Sequence, residues 1–573
     1  MKRLLAFLLC VGTANFALSD THKLAPDFQN VDLDTTVDII VQYRTPPTAV
    51  DHHKVTSRGG VLKRSLEIVN GAHYSVQARV LEELTSDPDV VYITPDRRVQ
   101  ATLDYANPTV NANIAFGYGY IGTGIAVAVI DSGVSWHNDL QASNGRVSRI
   151  VYSQSFLPTD TSTDDAYGHG THVAGIVAGN AILSSGKGYT HTFRGIAPNA
   201  NVVNLRALDA NGSGTDSSVI NAIQAAINLR NQYNIRIINL SLGRPVYESY
   251  TKDPLCQAVE NAWKAGIVVT VAAGNDGRNN SAGTNGYGTI TVPGNDPYVI
   301  TVGAMKDMGT VSRADDLIAT YSAKGPTSID HIVKPDLVAP GNRIISLQIY
   351  KSTIKANSTS VNLVPYSYYV VTNQTQPSTV YYKLSGTSMA APMVSGAAAL
   401  VLQQNPNLTP DQVKARLMKS ASKSFPGSSV ACDPGTNVCY TSQYDIFTVG
   451  AGYLDVWAAL NNSDLASGSA LSPTAVFDSS SGNVYVVDTS TPSGTAAVWG
   501  TAAVWGTAAV WGTSVFVNST AAVWGTAAVW GTAAVWGTNT DQGFAAVWGT
   551  AAVWGTNSQT GSEGLTLLIN GEN

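Results

Sequence analysis

The stretch GIAVAVIDSGV, residues 124–134, decides the fold class. It opens with an unbroken apolar run and lacks the alternation of a strand with one wet face, so it predicts a strand buried on both sides. Similar runs follow at ANVVNLRAL (200–208), IRIINLSLG (235–243), GIVVTVAAG (266–274) and YVITVGA (298–304). Together they predict an α/β fold with a mostly parallel sheet that is covered by helices on both faces.

Two segments carry helix signals, one between these runs and one after them. Apolar residues at positions 219, 220, 223, 226 and 227 recur at the spacing of one helical stripe. LTPDQ (408–412) begins another helix, with Thr409 as the N-cap, Pro410 at the first helical position and Gln412 completing a capping box. We therefore assign residues 105–462 to a single α/β region.

The regions on either side of it have other compositions. Residues 36–104 contain strand-like VDIIVQY (37–43) and VVYIT (90–94), with helical spacing in QARVLEEL between them, which predicts a small α+β module. Residues 463–494 are rich in Ser, Thr and Gly, as linkers are. Residues 495–573 form a tail that carries eight copies of AAVWGT, with interruptions.

Residues 1–19 have the pattern of an export signal. Lys2 and Arg3 precede a short apolar run from residue 4 to residue 11, and the small residues around Ala17 and Ser19 suit a cleavage site. We therefore expect a secreted protein, extracellular or at the cell surface, in preference to a cytosolic protein with an apolar start.

Composition and cysteine content narrow the function further. Charged residues make up only 13% of the chain and the formal net charge is −6, so we expect no nucleic-acid partner. Cys432 and Cys439 bracket the polar loop CDPGTNVC, and an exported protein can oxidise such a pair to a disulfide. Cys256 is left over, and we expect it to be a small buried residue.

Three stretches in the α/β region carry residues that can do chemistry. The strand 126–131 ends in Asp131, although an aspartate there is also common simply as a turn residue. YGHGTHVAGIVAG (167–179) holds two histidines three residues apart, a spacing that a metal site could also use. In LSGTSMAAPMVSG, Ser388 stands where a glycine loop becomes a helix, which suits either a nucleophile or an ordinary N-cap.

Together these residues supply the parts of a nucleophilic site. A serine hydroxyl is a weak nucleophile near neutral pH, so it needs a base such as histidine, and a carboxylate can orient that histidine. Asp131, His169 and Ser388 offer these three roles in that chain order. Zinc is the weaker interpretation of the histidine pair, because no HExxH pattern or nearby Cys/Glu ligand set accompanies it.

The motifs DSGV, HGTHVAG and GTSMAAP resemble the three catalytic motifs of the subtilisin-like serine peptidases, closely over 105–462 and more loosely over 36–100. The resemblance implies that Asp131, His169 and Ser388 form the triad, and that His172 packs as a structural residue. It also implies that Asn275, in AAGND, donates a hydrogen bond to the oxyanion, with the Ser388 N–H as the second donor.

The resemblance extends to substrate binding. It implies that extended polypeptides pair with the chain as an added strand and meet a primary pocket with small, apolar walls. The residues implied are Ser241, Leu242, Gly243, Ala272, Ala273, Gly274, Gly212, Ser213 and Gly214. It further implies that 36–104 is an inhibitor-like propeptide, cut between Gln100 and Tyr105.

Two segments depart from the family pattern. Residues 341–382 are much longer than the usual connection, and their Tyr, Val and Thr content predicts an added hairpin near the active site. The loop 181–193 is also expanded. Relatives often hold a structural calcium there, with a carboxylate resembling Asp139 as a ligand, but the expansion leads us to assign no metal and no required cofactor.

The six-residue period of the repeat tail indicates its backbone conformation. Six is even, so in a strand every tryptophan of AAVWGT falls on one face, whereas an α-helix would scatter them. We predict a β-like or extended tail that self-associates or binds a surface; a duplicated tail without selected binding is the alternative. We also expect the peptidase to be complete without residues 495–573.

The whole sequence supports a secreted serine endopeptidase made as a zymogen. The rival hypothesis is an inactive scaffold that serves as a surface or adhesion protein, and the complete set of catalytic residues argues against it. A lipase or esterase would need GxSxG and the order Ser, Asp, His, and the chain has neither.

Overall fold

The chain is described here from a computed structural model. The structure describes residues 23–25, 28, 31–66, 70–95, 105–142, 145, 147–281, 283–359, 361–372, 374–433, 438–466, 468–478, 483–487, 515–517, 520–521, 567–569 and 571–572. The predicted signal, the predicted cleavage region up to residue 104 and nearly all of the repeat units lie outside these residues. The chain divides into two compact units, one within residues 1–100 and the other within residues 101–573.

The first unit is a small α+β module. Its elements are β1 (Thr36–Tyr43), α1 (Ala49–Thr56), β2 (Val61–Leu66), β3 (Gly71–Gln77), α2 (Leu81–Thr85) and β4 (Val90–Pro95). The strands form an antiparallel sheet in the order β2-β3-β1-β4, the connectivity of the ferredoxin-like motif. Alternate residues of β1, Ile39 and Val41, are buried with Tyr74 and Ile93, which gives the unit a core of its own.

The second unit contains all the remaining elements. Its helices are α3 (Ala106–Thr109), α4 (Ala112–Gly117), α5 (His169–Ala178), α6 (Asp216–Tyr233), α7 (Pro254–Lys264), α8 (Thr353–Ala356), α9 (Tyr366–Tyr369), α10 (Thr387–Gln404), α11 (Pro410–Ser420), α12 (Ile446–Val449) and α13 (Val456–Leu460). Its strands are β5 (Ala126–Asp131), β6 (Ile150–Ser155), β7 (Asn201–Arg206), β8 (Ile235–Leu240), β9 (Val268–Ala272), β10 (Ile300–Lys306), β11 (Leu317–Ile318), β12 (Leu337–Pro340), β13 (Ile344–Leu347), β14 (Leu363–Pro365), β15 (Pro377–Leu384), β16 (Ser428–Cys432), β17 (Cys439–Gln443), β18 (Thr474–Asp478), β19 (Asn483–Val487), β20 (Val515–Val517) and β21 (Thr520–Ala521).

A mostly parallel sheet forms the centre of this unit, as the sequence predicts. Its order is β11-β10-β9-β8-β5-β7-β6, with β12 also paired to β10. The five apolar runs become β5, β7, β8, β9 and β10, and these strands pair in parallel. The edge strand β11 pairs antiparallel with β10. Every residue of β5 is buried, which is why its sequence shows no alternation.

Helices cover both faces of the sheet. α5 connects β6 to β7, α6 connects β7 to β8, and α7 connects β8 to β9. α5 packs with α10 against the sheet, α6 packs with α7 against the same sheet, and the two pairs lie on opposite faces. α11 begins at the predicted Thr409 capping box.

Smaller sheets decorate the unit. The predicted hairpin in 341–382 is a three-stranded sheet in the order β13-β15-β14, which carries α8 and α9 between its strands. Cys432 and Cys439 are joined by the predicted disulfide between β16 and β17, and Cys256 is free and buried. β18 to β21 form another sheet, in which β20 lies in the interruption SVFVNST (514–520) of the tail and β21 spans the end of that interruption and Ala521.

The prediction of β-like structure for the AAVWGT units stays a prediction, because those units lie outside the described residues almost entirely. Residues 567–569, 571 and 572 of the tail are described, and they pack within the second unit. None of the helices in the described part of the chain combines the length and the apolar composition needed to cross a bilayer.

Candidate active site

Asp131 and His169 meet at the carboxyl edge of the parallel sheet. Asp131 is the fully buried last residue of β5, and His169 is the first residue of α5. The His169 Nδ1 atom lies 2.8 Å from Asp131 Oδ1 and 3.0 Å from Oδ2. Gly168, just before the helix, has φ +100°, a left-handed conformation that lets the chain turn sharply enough to place His169 there. The Nδ1–H therefore donates to the carboxylate, and Nε2 remains available as a base.

The surroundings of His169 shift its basicity. Burial lowers the pKa of His169, but the charge of Asp131 and its hydrogen bond act in the other direction and prevail, so the pKa lies above the usual 6.5 of histidine. A stronger base takes a proton from a hydroxyl more readily.

We expect the kcat/KM of peptide hydrolysis to fall toward acid pH through one protonation, with its midpoint above 6.5. The reason is that only neutral His169 can accept a proton, so activity is present above its pKa and lost below it. A pH series with an uncharged peptide substrate measures the midpoint. A midpoint at or below 6.5 would contradict the raised pKa of His169.

Ser388 occupies the second position of α10, where helix N–H groups create a positive field. Its Oγ donates to the Ser241 carbonyl at 3.2 Å, while Ser241 Oγ donates to the Ser388 carbonyl at 2.8 Å. Within the described residues, no hydrogen bond links the Ser388 hydroxyl to His169. Such bonds are often loose in a site without substrate and tighten when substrate binds. The contact with Ser241 places Ser388 at the end of β8, the strand next to β5.

Asn275 follows β9 at the same edge of the sheet. Its Oδ1 accepts from the Thr387 N–H at 2.9 Å and from Thr387 Oγ1 at 3.1 Å. Because the oxygen is held by these donors, the amide nitrogen Nδ2 is the atom left to donate to a ligand. A Cβ on Gly386 would lie 3.4 Å from this nitrogen, and the glycine keeps that side open.

The predicted substrate-binding segments lie around this point. Residues 241–243 follow β8, residues 272–274 end β9, and the loop 212–214 connects β7 to α6. Gly243, Ser213 and Gly214 are exposed, so their backbone is open to an added strand. Thr291 lies close to the segments 241–243 and 272–274. A Cβ atom added to Gly243 would lie 2.5 Å from Thr291, and one added to Gly274 would lie 2.8 Å from it. Glycine is required at both places because any side chain would collide with Thr291.

His172 is a structural residue, as expected. It is fully buried, and its Nε2–H donates to the Ile344 carbonyl at 3.1 Å. Burial, with a smaller effect of His169, lowers the pKa of His172 to about 3, so it stays neutral. No group of three or more His, Cys, Asp or Glu side chains suited to a metal occurs within the described ranges.

Asp165 is a residue that the sequence analysis missed. Its buried carboxylate accepts from the N–H groups of Gly168 and Thr171, each at 2.7 Å, and from Ser132 Oγ at 2.7 Å. Ser132 in turn contacts Asp131 Oδ1 through its N–H at 2.7 Å. Asp165 thus ties the start of α5 to the end of β5. The available signal was an aspartate four residues before His169, where it can cap the coming helix.

We expect Asp165→Asn to lower kcat by about 10²-fold with little change in KM, since an amide would turn an N–H toward one of these donors and displace His169. Steady-state kinetics on one peptide substrate measures both constants. Asp164→Asn is the matched control, because Asp164 is exposed. Equal kcat in the two variants would contradict the positioning role.

The insertion 341–382 also supports His169. Tyr382 Oη, from β15, donates to the Gly168 carbonyl. The N–H groups of Thr353 and Ile354 donate to the carbonyls of Ala166 and Tyr167, each at 3.0 Å. The insertion therefore fixes the loop that leads into α5, a contact between distant segments that no local pattern announces.

The region around Asp139, where the family resemblance raised the question of a calcium site, is filled by protein groups. Asp139 is fully buried; its carboxylate accepts from the Leu183 N–H at 2.9 Å and from Tyr381 Oη. The buried guanidinium of Arg149 donates to nearby carbonyls, those of Gln141, Ala200, Asp139 and Ala178. A calcium ion placed here would be repelled by the Arg149 guanidinium. The Asp139 carboxylate and the nearby carbonyl oxygens already accept hydrogen bonds, so these residues do not fit calcium.

We expect Tyr381→Phe to lower the free energy of unfolding by about 1–3 kcal/mol, because it removes a donor from a buried carboxylate. EDTA is expected to leave the Tm unchanged. Urea unfolding measures the first effect and thermal unfolding the second, both in a Ser388→Ala background that prevents self-digestion, with Tyr350→Phe, at an exposed tyrosine, as the control. A fall in Tm with EDTA that calcium reverses would contradict this interpretation.

Comparisons with known proteins agree with the geometry. Residues 122–438 match the model of the Subtilase family. The chain is 37% identical to serine protease AprX of Bacillus subtilis (strain 168) over 374 residues, which cover 63% of this chain and 76% of that protein. It is 32% identical to subtilisin E of the same strain over 372 residues, 64% of this chain and 79% of the relative. Subtilisin DY of Bacillus licheniformis is 33% identical over 321 residues, 56% of this chain and 92% of that protein.

Proposed function

The chain belongs to the subtilase family and is a subtilisin-like serine endopeptidase, and from this premise we propose that Asp131, His169 and Ser388 are its catalytic triad. The observation that carries the proposal is the 2.8 Å contact between His169 Nδ1 and Asp131 at the edge of the sheet where Ser388 begins a helix. His169 Nε2 takes the proton of Ser388 Oγ as that oxygen attacks the substrate carbonyl.

The tetrahedral intermediate carries a negative oxygen. Asn275 Nδ2 and the Ser388 N–H donate to it. The orientation of the Asn275 amide by Thr387 supports this role, because it leaves Nδ2 as the free donor. Protonated His169 then gives its proton to the leaving amine, and the peptide bond breaks to leave an acyl group on Ser388. Water attacks this acyl-enzyme, again with His169 as the base, and the serine is restored.

The substrates we propose are extended polypeptides. Exposed residues in two of the segments, Ser213 and Gly214 in one and Gly243 in the other, suit a substrate strand between them, so the main chain is bound first and side chains second. The small residues at 272–274 leave room for an apolar side chain before the cut. This arrangement favours many protein substrates over a single sequence.

We further propose that the enzyme is secreted as a zymogen and matures itself. The signal-like residues 1–19 support export, and the compact module within residues 1–100 has a core of its own, as an inhibitor-like prosegment would. A parallel sheet forms from non-local contacts and folds slowly, so a prosegment that templates it has a kinetic benefit.

Maturation gives the test of this proposal. Purified precursor, refolded without other proteases, is expected to acquire a new N-terminus between Gln100 and Tyr105 and to cleave casein afterwards. The Ser388→Ala precursor is expected to keep its prosegment under the same conditions. Appearance of the same N-terminus in the Ser388→Ala protein would refute self-processing, and casein cleavage by uncut precursor would refute the zymogen.

A further inference from the structure

A segment from the distal side of the repeat tail is built into the peptidase unit. Leu568, Ile569 and Glu572 are buried, and Glu572 is 0% exposed. Leu568 and Ile569 belong to the same hydrophobic core as the central sheet. We call residues 567–569, 571 and 572 the anchor segment. Its burial is notable because a glutamate is almost never fully buried unless it is paired.

The carboxylate of Glu572 has a complete set of donors. Arg278 Nη2 donates to Oε1 at 2.7 Å, and the Thr320 N–H lies 3.1 Å from Oε2. Thr320 Oγ1 also donates to Oε1. Arg278 is held in place by Thr320 Oγ1, at 2.8 Å from its Nε, and its guanidinium lies 5.1 Å from the ring centroid of Tyr440. Arg278 Nη1 is paired with Asp433 Oδ2 at 2.5 Å, so the cleft presents the remaining donors to one further carboxylate.

The cleft also binds the main chain of the anchor segment. Asn342 Nδ2 donates to the Glu572 carbonyl at 2.9 Å, and the Glu572 N–H donates to Asn342 Oδ1 at 2.8 Å. The Ser385 N–H donates to the Leu568 carbonyl at 2.9 Å. Gly571 has φ +62°, and a Cβ there would lie 2.2 Å from Ser385 Oγ, so only glycine fits. Backbone, glycine and carboxylate are thus each recognised.

The charges around the cleft favour an acidic occupant. Burial lowers the pKa of Lys306 and of Arg343, and the charge of Glu572 acts in the opposite direction on both. If the anchor segment left, the buried Thr320 N–H and the Arg278 Nη2 would lose their acceptor. Leaving buried donors without an acceptor is costly, more so for a charged group.

The cleft lies beside the catalytic serine. Ser385 is three residues before Ser388, and the Gly386 N–H donates to the Gly341 carbonyl at 2.8 Å, next to Asn342. Arg278 is three residues after Asn275, in the loop that follows β9. The anchor segment therefore joins the two loops that carry the proposed nucleophile and the proposed oxyanion donor.

We propose that the cleft formed by Arg278, Thr320, Asn342 and Ser385 is a binding site for an acidic Leu-Leu-Ile-Asn-Gly-Glu peptide, and that the chain's own anchor segment is its occupant. On the proximal side of the tail, β18 and β19 are attached to the same unit, where the Ala475 N–H donates to the His331 carbonyl at 2.7 Å. The strand β19 and the anchor segment, which stand on either side of the repeats in the chain, are thus both attached to the peptidase unit. We therefore expect the repeats to be separable from the peptidase unit and the anchor segment not to be.

The site can be tested without reference to catalysis. In a Ser388→Ala background, truncation after Thr566 is expected to lower the Tm by about 5 °C or more, since several buried polar groups lose their partners. The matched control deletes residues 527–556, which removes repeat units and keeps the anchor segment, and its Tm is expected to stay within about 1 °C of the full chain. Equal loss of stability in both proteins, or in neither, would overturn the proposal.

Binding in trans gives the sharper result. A fluorescent peptide TLLINGEN (residues 566–573) is expected to bind the truncated protein and restore its Tm, and a peptide with Glu572→Gln to bind about 10–100-fold more weakly. If the truncated protein fails to fold, the full-length Glu572→Gln variant in the same Ser388→Ala background takes its place. Its anchor segment is held more weakly, so the added peptide should bind it more readily than it binds the full-length chain with Glu572 intact. Equal binding of the two peptides, or equal peptide binding by both full-length proteins, would contradict the site.

These results are independent of the proposed catalytic roles. A failed anchor leaves the triad untouched, whereas a failed triad leaves the peptide affinity and the Tm as stated.

Discussion

Replacing Ser388 by alanine is expected to lower kcat for peptide hydrolysis by about 10⁶-fold, with the fold intact. The hydroxyl is the only group of Ser388 that the change removes, and without it no acyl-enzyme can form. The residual rate comes from water that attacks a substrate still held by the binding segments and by the donors around the oxyanion. Substrate affinity should change little, because the Ser388 N–H and the Asn275 amide remain in place.

The measurement is kcat and KM on a peptide with a chromogenic leaving group, using protein freed of its prosegment by an added protease. Ser217→Ala is the control, since Ser217 is an exposed serine on α6. A Ser388→Ala protein with more than about 1% of the wild-type kcat would mean that another group is the nucleophile.

Asp131→Asn has the second-largest expected effect, a fall in kcat of about 10⁴-fold. The Ser132 N–H donates to Asp131 Oδ1 at 2.7 Å, so the oxygen of an asparagine amide would stay at that position. Its NH₂ group would then face His169 Nδ1 and donate to it. That bond favours the tautomer with the proton on Nε2, and such a histidine cannot accept the proton of Ser388.

The same variant makes a second prediction that a merely unfolded protein would not reproduce. Because the charge of Asp131 is a main cause of the raised pKa of His169, the acid midpoint of kcat/KM should move down in Asp131→Asn. The pH profile of the residual activity measures it. Asp164→Asn, at an exposed carboxylate, should leave both the rate and the midpoint close to those of the wild type. An unchanged midpoint in Asp131→Asn would contradict the account.

Much of the central sheet was accessible from sequence. Five continuous apolar runs became β5, β7, β8, β9 and β10, because strands buried on both faces have no polar positions to obscure the signal. β6 was missed: its residues are only half-buried at the sheet edge, so its sequence is mixed. β12 was missed because four residues are too few for a pattern to emerge.

Some residues of the site could be predicted from local motifs, whereas others could not. Asp131, His169, Ser388 and Asn275 stand in short motifs, so their resemblance to a known family could be read locally. Asp165 acts through contacts with Ser132 and Gly168 that only the folded chain brings together. The hydrogen bonds from Tyr381 to Asp139 and from Tyr382 to the Gly168 carbonyl, both supplied by the insertion, also join segments that are distant in the chain.

The anchor segment is the extreme case of this limit. LLINGE has no feature that points to Arg278 or Thr320, which lie about 250 or more residues earlier, at separations of 294 and 252. The proposed role of these residues depends on a cleft that four distant segments of the chain form together. A pattern search along the chain registers the tryptophan repeats, which end at Thr556, and passes over residues 567–572.

The most direct test of the central claim, that His169 activates Ser388 as the nucleophile, is covalent labelling with a fluorophosphonate followed by peptide mass analysis. We expect one label per active chain, on Ser388, with loss of peptide hydrolysis in proportion to labelling and with no label in His169→Ala. Complete inhibition with the label on any other residue, or undiminished hydrolysis by protein fully labelled at Ser388, would contradict it.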